Sequence, residues 1–160
     1  FIPKNKNVKT YHVDAIKFLK NNKKKYDIIF CIDVIEHINK DSQLLFLDLL
    51  IKNLRKNGIL ILQTINSSSP YANIYFYGDI THTRIMPYQL LNNYLKNKYS
   101  NAHVSISNTP CLTYKSLIVR WLISFPILVI VNFIPKIGLG IRDKIRIFTV
   151  NYLCIFQKNF

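Results

Sequence analysis

Tyr26-Asp27-Ile28-Ile29-Phe30-Cys31-Ile32-Asp33-Val34-Ile35-Glu36-His37 is the stretch on which the fold turns. Its apolar run from Ile28 to Ile32, bounded by polar residues, suits a central strand covered on both faces of a sheet. Asp33 to His37 follow as a polar loop at the strand's carboxyl end, where open α/β sheets place their function.

Upstream of this stretch, Val8 to Val13 alternates as a strand does and Ala15 to Lys20 reads as a short helix, so the order is β, α, β. Downstream, Asp41 is placed to cap a helix in which Leu47, Leu50, Ile51 and Leu54 fall on one face. Arg55 and Lys56 suit its last turn and Asn57-Gly58 its stop. Gly58 to Thr64 is a second apolar strand, and strands joined by helical crossovers predict a parallel α/β sheet. Asn66 to Pro70 breaks the regularity, and the stretch to Met86 is irregular and polar-aromatic. Pro87 opens a helix running through Lys96, His103 to Ser107 returns as a strand, and Ile147 to Gln157 reads as the last buried strand.

With 160 residues, 49% of them hydrophobic, the chain can bury one core and a single domain is expected. The net charge of +14 and pI near 9.8 predict attraction to phosphates, anionic lipid head groups or acidic glycans. Lys and Asn are abundant throughout, and Lys20 to Lys25 reads as a solvated helix end. No aromatic-interleaved basic motif points to nucleic acid. Cys31, Cys111 and Cys154 are widely spaced among apolar residues, which argues against a disulfide framework or a zinc site and for a reducing, cytoplasmic setting. Leu117 to Ile134 is nearly all apolar, with Lys136, Arg142, Lys144 and Arg146 beyond it. Arg120, Pro126 and Asn132 interrupt the run, so packing on the sheet or lying at a membrane surface is expected rather than spanning, for which about 20 apolar residues are needed.

Taken whole, the run from Tyr26 to His37 resembles the fourth-strand motif of class I S-adenosylmethionine-dependent methyltransferases, in which a strand beginning Tyr-Asp ends in an Asp-Val-Ile-Glu-His loop. Gly58 to Thr64 looks like the next strand of that family, and His12-Val13-Asp14-Ala15 like its third-strand turn. Gln63-Thr64-Ile65-Asn66, Ser69-Pro70 and Tyr77-Gly78-Asp79-Ile80-Thr81-His82-Thr83-Arg84 are similar to bacterial members of the type 11, 12 and 23 groups found with surface-polysaccharide genes. In this chain Ile65 replaces the usual proline, and Met86-Pro87 stands where Phe-Thr-Pro is common. Phe148-Thr149-Val150-Asn151 matches their last strand.

The resemblance implies a Rossmann-like, mostly parallel sheet with flanking helices and S-adenosylmethionine as cofactor. Residues 1–64 would form the cofactor side, 65–100 the acceptor loop and helix, 114–146 an apolar and basic insertion or peripheral membrane segment, and 147–157 the last strand. Asp14, Ala15, Asp33 and Val34 would contact the cofactor, and Asn66, Thr81 and Arg84 the acceptor. A hydroxyl acceptor needs a base, and His82 oriented by Asp79 is the first candidate. His37, beside Asp33 and Glu36, is the second, although Glu36-His37 also reads as the cap of the next helix. No carboxylate cluster has metal-ligand spacing, so no metal is expected.

No Gly-x-Gly turn precedes the motif, and the first two strands of the family's fold have no counterpart in the sequence. The chain therefore reads as an amino-terminally truncated methyltransferase domain that on its own holds cofactor weakly. The acceptor implied is a hydroxyl of a sugar or lipid-linked glycan at the cytoplasmic membrane face. Two other readings stay open: a methyltransferase for quinones or other lipid small molecules, and a non-catalytic membrane-surface or interaction protein.

Overall fold

The computed structural model describes residues 8–69, 71–109 and 149–160. The segment Leu117 to Ile134 and its basic flank lie outside the described residues. Helix α1 (Ala15–Asn21) leads to strand β1 (Tyr26–Ile32), and two short 3₁₀ turns connect β1 to helix α2 (Gln43–Asn53). Strand β2 (Leu54–Ile65), helices α3 (Ala72–Tyr77) and α4 (Tyr88–Lys98), and strands β3 (His103–Asn108) and β4 (Asn151–Gln157) follow.

The strands form one sheet in the order β1-β2-β4-β3. The expected parallel pairing of β1 with β2 is present, with Phe30 opposite Ile61, while β4 enters antiparallel to both β2 and β3, so the described sheet is mixed. This is an α/β layout, as the alternation of strands and helices predicts, and it is Rossmann-like, as the resemblance implies. Leu60, Leu62, Tyr152, Cys154 and Phe156 project from one face into a core with Phe46, Leu47, Leu50, Leu91 and Leu95 of α2 and α4. Each fully buried aliphatic or aromatic side chain contributes about 1.5–3 kcal/mol to that core. Buried Cys31 and Cys154 are free thiols, and burial pushes both up to about 12, so neither is reactive near neutrality.

Several expectations are corrected. Val8 to Val13 forms no strand, and Val8, Tyr11 and Val13 are exposed. A strand needs a neighbour to complete its ladder, and among the described residues no strand lies beyond β1. For the same reason β1 is not covered on both faces: Ile28, Phe30 and Ile32 are 49%, 66% and 42% exposed. Asn39, not Asp41, supplies the cap ahead of α2, its side-chain oxygen accepting from the Asp41 N–H at 3.1 Å. The helix gives way to β2 at Leu54, four residues before Gly58. Asn57, at φ 61°, absorbs an irregularity there instead of ending the helix, and the register with β1 shifts between Tyr26 and Ile28.

Helices α2 and α4 are tied by one carboxylate. Asp48 accepts from the hydroxyls of Tyr94 and Tyr99, each at 2.8 Å, and from Lys98 Nζ. Partial burial raises Asp48, but the bonds from Lys98, Tyr99 and Tyr94 outweigh it and hold the carboxyl below its ordinary 3.8. A depressed folded-state value means the stabilisation is present above 3.8 and is lost as the pH falls through the lower folded value. Asp48→Ala is expected to cost about 2 kcal/mol at neutral pH in urea unfolding. Variant and parent should converge in strong acid, and a gap that persists there would contradict this assignment.

Candidate active site

The site begins where β1 ends. Asp33 takes a positive φ of 51°, which Asp tolerates better than most residues, and its N–H donates to the Gln63 carbonyl at 3.0 Å. Its carboxylate accepts from Gln63 Nε2 at 3.1 and 3.2 Å and from Asn151 Nδ2 at 3.2 Å. The ends of β1, β2 and β4 therefore meet on one side chain. The sharp turn drives Ile35 and Glu36 inward as a 3₁₀ turn, leaving Glu36 only 1% exposed. Its carboxylate accepts from the fully buried Thr64 hydroxyl at 2.9 Å. Burial raises this carboxyl and Asp33 adds to the effect, against the lowering by its own N–H, Thr64 and His37.

The loop from Gly78 to Arg84 docks against that turn through its backbone. Thr83 N–H donates to the Glu36 carbonyl at 2.8 Å, and its hydroxyl donates to Ile38 O at 2.6 Å. Buried Gln43 divides its amide between Ile35 O and Arg84 O, at 3.0 and 2.9 Å. The two histidines that are 45 positions apart in sequence thereby become neighbours, with ring centroids 4.6 Å apart. Phe76 of α3 stacks on His82 at 5.6 Å, and its carbonyl meets His82 Nδ1 at 2.9 Å.

Hydrogen-bond arithmetic assigns both tautomers. Thr81 has one hydroxyl proton, and it goes to Asp79 Oδ1 at 2.6 Å. The contact of 2.8 Å between Thr81 Oγ1 and His37 Nδ1 must then be donated by the ring. A carbonyl only accepts, so His82 Nδ1 carries its proton as well. In the neutral form both rings keep a lone pair on Nε2, the form a general base requires. The Thr81 hydroxyl and N–H hold Asp79 below its ordinary value, keeping it an anion at the head of the relay Asp79, Thr81, His37.

Of the expected site residues, His37, Thr81, His82 and Asp79 are brought together, with Asp79 bonded to Thr81 and His82 to the Phe76 carbonyl. Asn66 is fully buried; it accepts from Ser68 N–H and donates through Nδ2 to Thr149 O. Asp14 caps α1, its carboxylate accepting from Lys17 N–H at 2.7 Å, and Ala15 is the helix's first residue. Val34 precedes the 3₁₀ turn, and the Arg84 backbone closes the second loop. Sequence reasoning did not find Thr64, Gln63, Gln43 or Asn151, whose partners lie on other elements. It also expected no metal. With the loops docked, ligand atoms of Glu36, His37 and His82 lie within 4.8 Å of one another, a separation a single cation could bridge.

An α/β sheet with two polar loops meeting at the carboxyl end of its parallel strands has the layout in which open α/β folds bind their ligands. The sequence profile of a family described as "Methyltransferase domain" matches residues 2–107, and the chain belongs to that family. It is 25% identical over 128 residues to ubiquinone biosynthesis O-methyltransferase of Rickettsia bellii, covering 74% of this chain and 51% of the relative. A shorter match, 41% identical over 56 residues, is to the enzyme of the same name from Rickettsia canadensis, covering 35% of this chain and 22% of that one. The chain thus spans about half the length, or less, of these relatives. Among solved structures, a SAM-dependent methyltransferase from Archaeoglobus fulgidus superposes with TM-score 0.62 at 22% identity, covering 92% of this chain and 66% of the other. The plantazolicin methyltransferase BamL superposes with TM-score 0.54 at 10% identity, covering 92% and 59%.

The relay makes a prediction independent of activity. Long-range nitrogen–proton spectra should show His37 as the Nδ1–H tautomer. Thr81→Val should shift it toward the Nε2–H form common in solution, with His82 unaffected. An Nε2–H signal for His37 in the parent protein would rule the relay out.

Proposed function

We propose that this chain belongs to an S-adenosylmethionine-dependent enzyme that methylates a hydroxyl oxygen, and that its two docked loops form the acceptor side of the site. The observation that carries the reading is the Asp79, Thr81, His37 relay, which leaves a basic Nε2 beside a second imidazole. S-adenosylmethionine, when bound, supplies an electrophilic methyl on a positively charged sulfur. Asp33 and Val34 after β1, with Asp14 and Ala15 at the start of α1, are the residues assigned to hold it.

These residues fit one wall of such a site. The glycine-rich turn that lets backbone approach a cofactor has no counterpart ahead of β1, since Gly58 lies in β2 and Gly78 ends α3. What the chain supplies is acceptor handling. In transfer of that methyl group from sulfur to the acceptor oxygen, which would leave a neutral thioether, His37 Nε2 would take the hydroxyl proton and Asp79 through Thr81 would steady the ring that becomes charged. His82, held by Phe76, closes the second side of the acceptor oxygen's position. A phenolic hydroxyl on a quinol-type lipid is supported by the names of the Rickettsia relatives. A sugar hydroxyl on a lipid-linked glycan is the acceptor that the Gly78 to Arg84 signature favours. Both put an oxygen nucleophile at the same place.

Transfer of labelled methyl from S-adenosylmethionine to a demethylated quinol, or to a lipid-linked glycan, tests the reading and separates the acceptors. His37→Ala is expected to lower kcat by about 10²- to 10⁴-fold while cofactor affinity stays within error. An unchanged kcat would remove His37 as base. Micromolar binding of labelled S-adenosylmethionine by the chain would remove the reading as a non-catalytic interaction protein, and absence of binding would leave that reading standing. The close approach of Glu36, His37 and His82 favours one further reading, in which a divalent cation polarises the acceptor. Activity abolished by EDTA and restored by magnesium would select it over the free base.

A further inference from the structure

Gln43, the first residue of α2, is 1% exposed and commits its amide nitrogen to both loops of the site. Nε2 donates to Ile35 O at 3.0 Å, two residues before His37, and to Arg84 O at 2.9 Å, two residues after His82. Both partners are carbonyls, so the amide has one orientation, with the nitrogen toward them and Oε1 away. That oxygen is buried, and among the described residues no group donates to it. An unpaired buried acceptor lowers stability.

A methionine would fill nearly the same volume without that oxygen. Ile35 O would keep the Ile38 N–H at 3.2 Å, and the contact at Arg84 O is only part-buried, within reach of water. Removing the amide thus takes away two bonds whose acceptors have other partners, and one unpaired atom with them. Stability does not account for a glutamine at this position, and geometry does. Thr83 bonds the second loop to Glu36 O and Ile38 O, and the Arg84 N–H reaches the same Glu36 carbonyl at 3.4 Å. These bonds form one point of attachment, about which the loop can pivot. We propose that Gln43 is a positioning residue for methyl transfer: its amide is the second point of attachment, which stops the pivot and holds Thr81 and His82 against His37. The role in transfer rests on the reading of His37 as the base, whereas the attachment itself is measurable without substrate.

Gln43→Met, with Gln43→Leu as a second apolar replacement, is compared with the parent protein in three measurements. The urea midpoint should stay within error or rise. Nitrogen relaxation-dispersion spectra should show microsecond-to-millisecond exchange at His37 and at Thr81 to Thr83 in the variants and none in the parent, with β2 silent in both. Labelled methyl transfer should fall in kcat by about 10- to 100-fold, with KM for S-adenosylmethionine unchanged. A lower midpoint, or failure of both variants to fold, would make Gln43 a structural residue and overturn the proposal. Loops as rigid in the variants as in the parent would overturn it too, as would an unchanged kcat alongside new exchange. A parent chain that transfers no methyl group would count against the hydroxyl-methylation reading, and the spectra would still decide the attachment.

Discussion

Glu36 is the constraint on which the site depends. Its carboxylate is buried against the Thr64 hydroxyl at the end of β2, and its carbonyl receives Thr83 of the second loop. Burying a carboxylate is unfavourable unless it is bonded, so the 3₁₀ turn has few alternative positions once β2 is in place. The same residue's carbonyl then dictates where the loop from Gly78 to Arg84 can lie. The juxtaposition of His37 and His82 follows from those two bonds. Gln43, bridging Ile35 O and Arg84 O from α2, fixes the same two loops from behind.

Much of this was legible in the sequence, and the reasons are physical. Apolar runs such as Ile28 to Ile32 and Gly58 to Thr64 are short, rich in isoleucine and bounded by polar or turn residues, which favours a strand over a helix, so the parallel β1-β2 unit could be read directly. So could α2, because Leu47, Leu50 and Ile51 recur at helical spacing. The two polar loops were also recognisable as sites. Their union was not, because it runs through Thr64, Gln43 and backbone carbonyls, groups that look the same in a sequence whether or not they meet a partner.

The failures have a common cause too. Val8 to Val13 has the alternation of a strand, but periodicity describes only how side chains would be sorted, not whether a neighbouring strand exists to bond the backbone. Asp41 has the chemistry of a cap, yet it lies within a 3₁₀ turn that Asn39 caps, and α2 begins beyond it at Gln43. Helix α3 escaped notice because only Ala72 and Phe76 turn inward, too few to leave an amphipathic signature. In each case the local pattern was sound and the tertiary neighbour decided the outcome.

The strand order has a bearing on how the molecule is made. Strand β4 lies between β2 and β3, pairing Leu62 with Cys154 and Ile106 with Cys154 from opposite sides. Until residues 151–157 have left the ribosome, β2 and β3 each present an unpaired edge, and the buried face of Tyr152 and Phe156 is missing from the core. Contacts spanning some ninety residues must close before the sheet becomes continuous, which makes folding a late and slow event. The nascent chain spends that interval with two open strand edges, the state in which a sheet protein is most exposed to pairing with another chain.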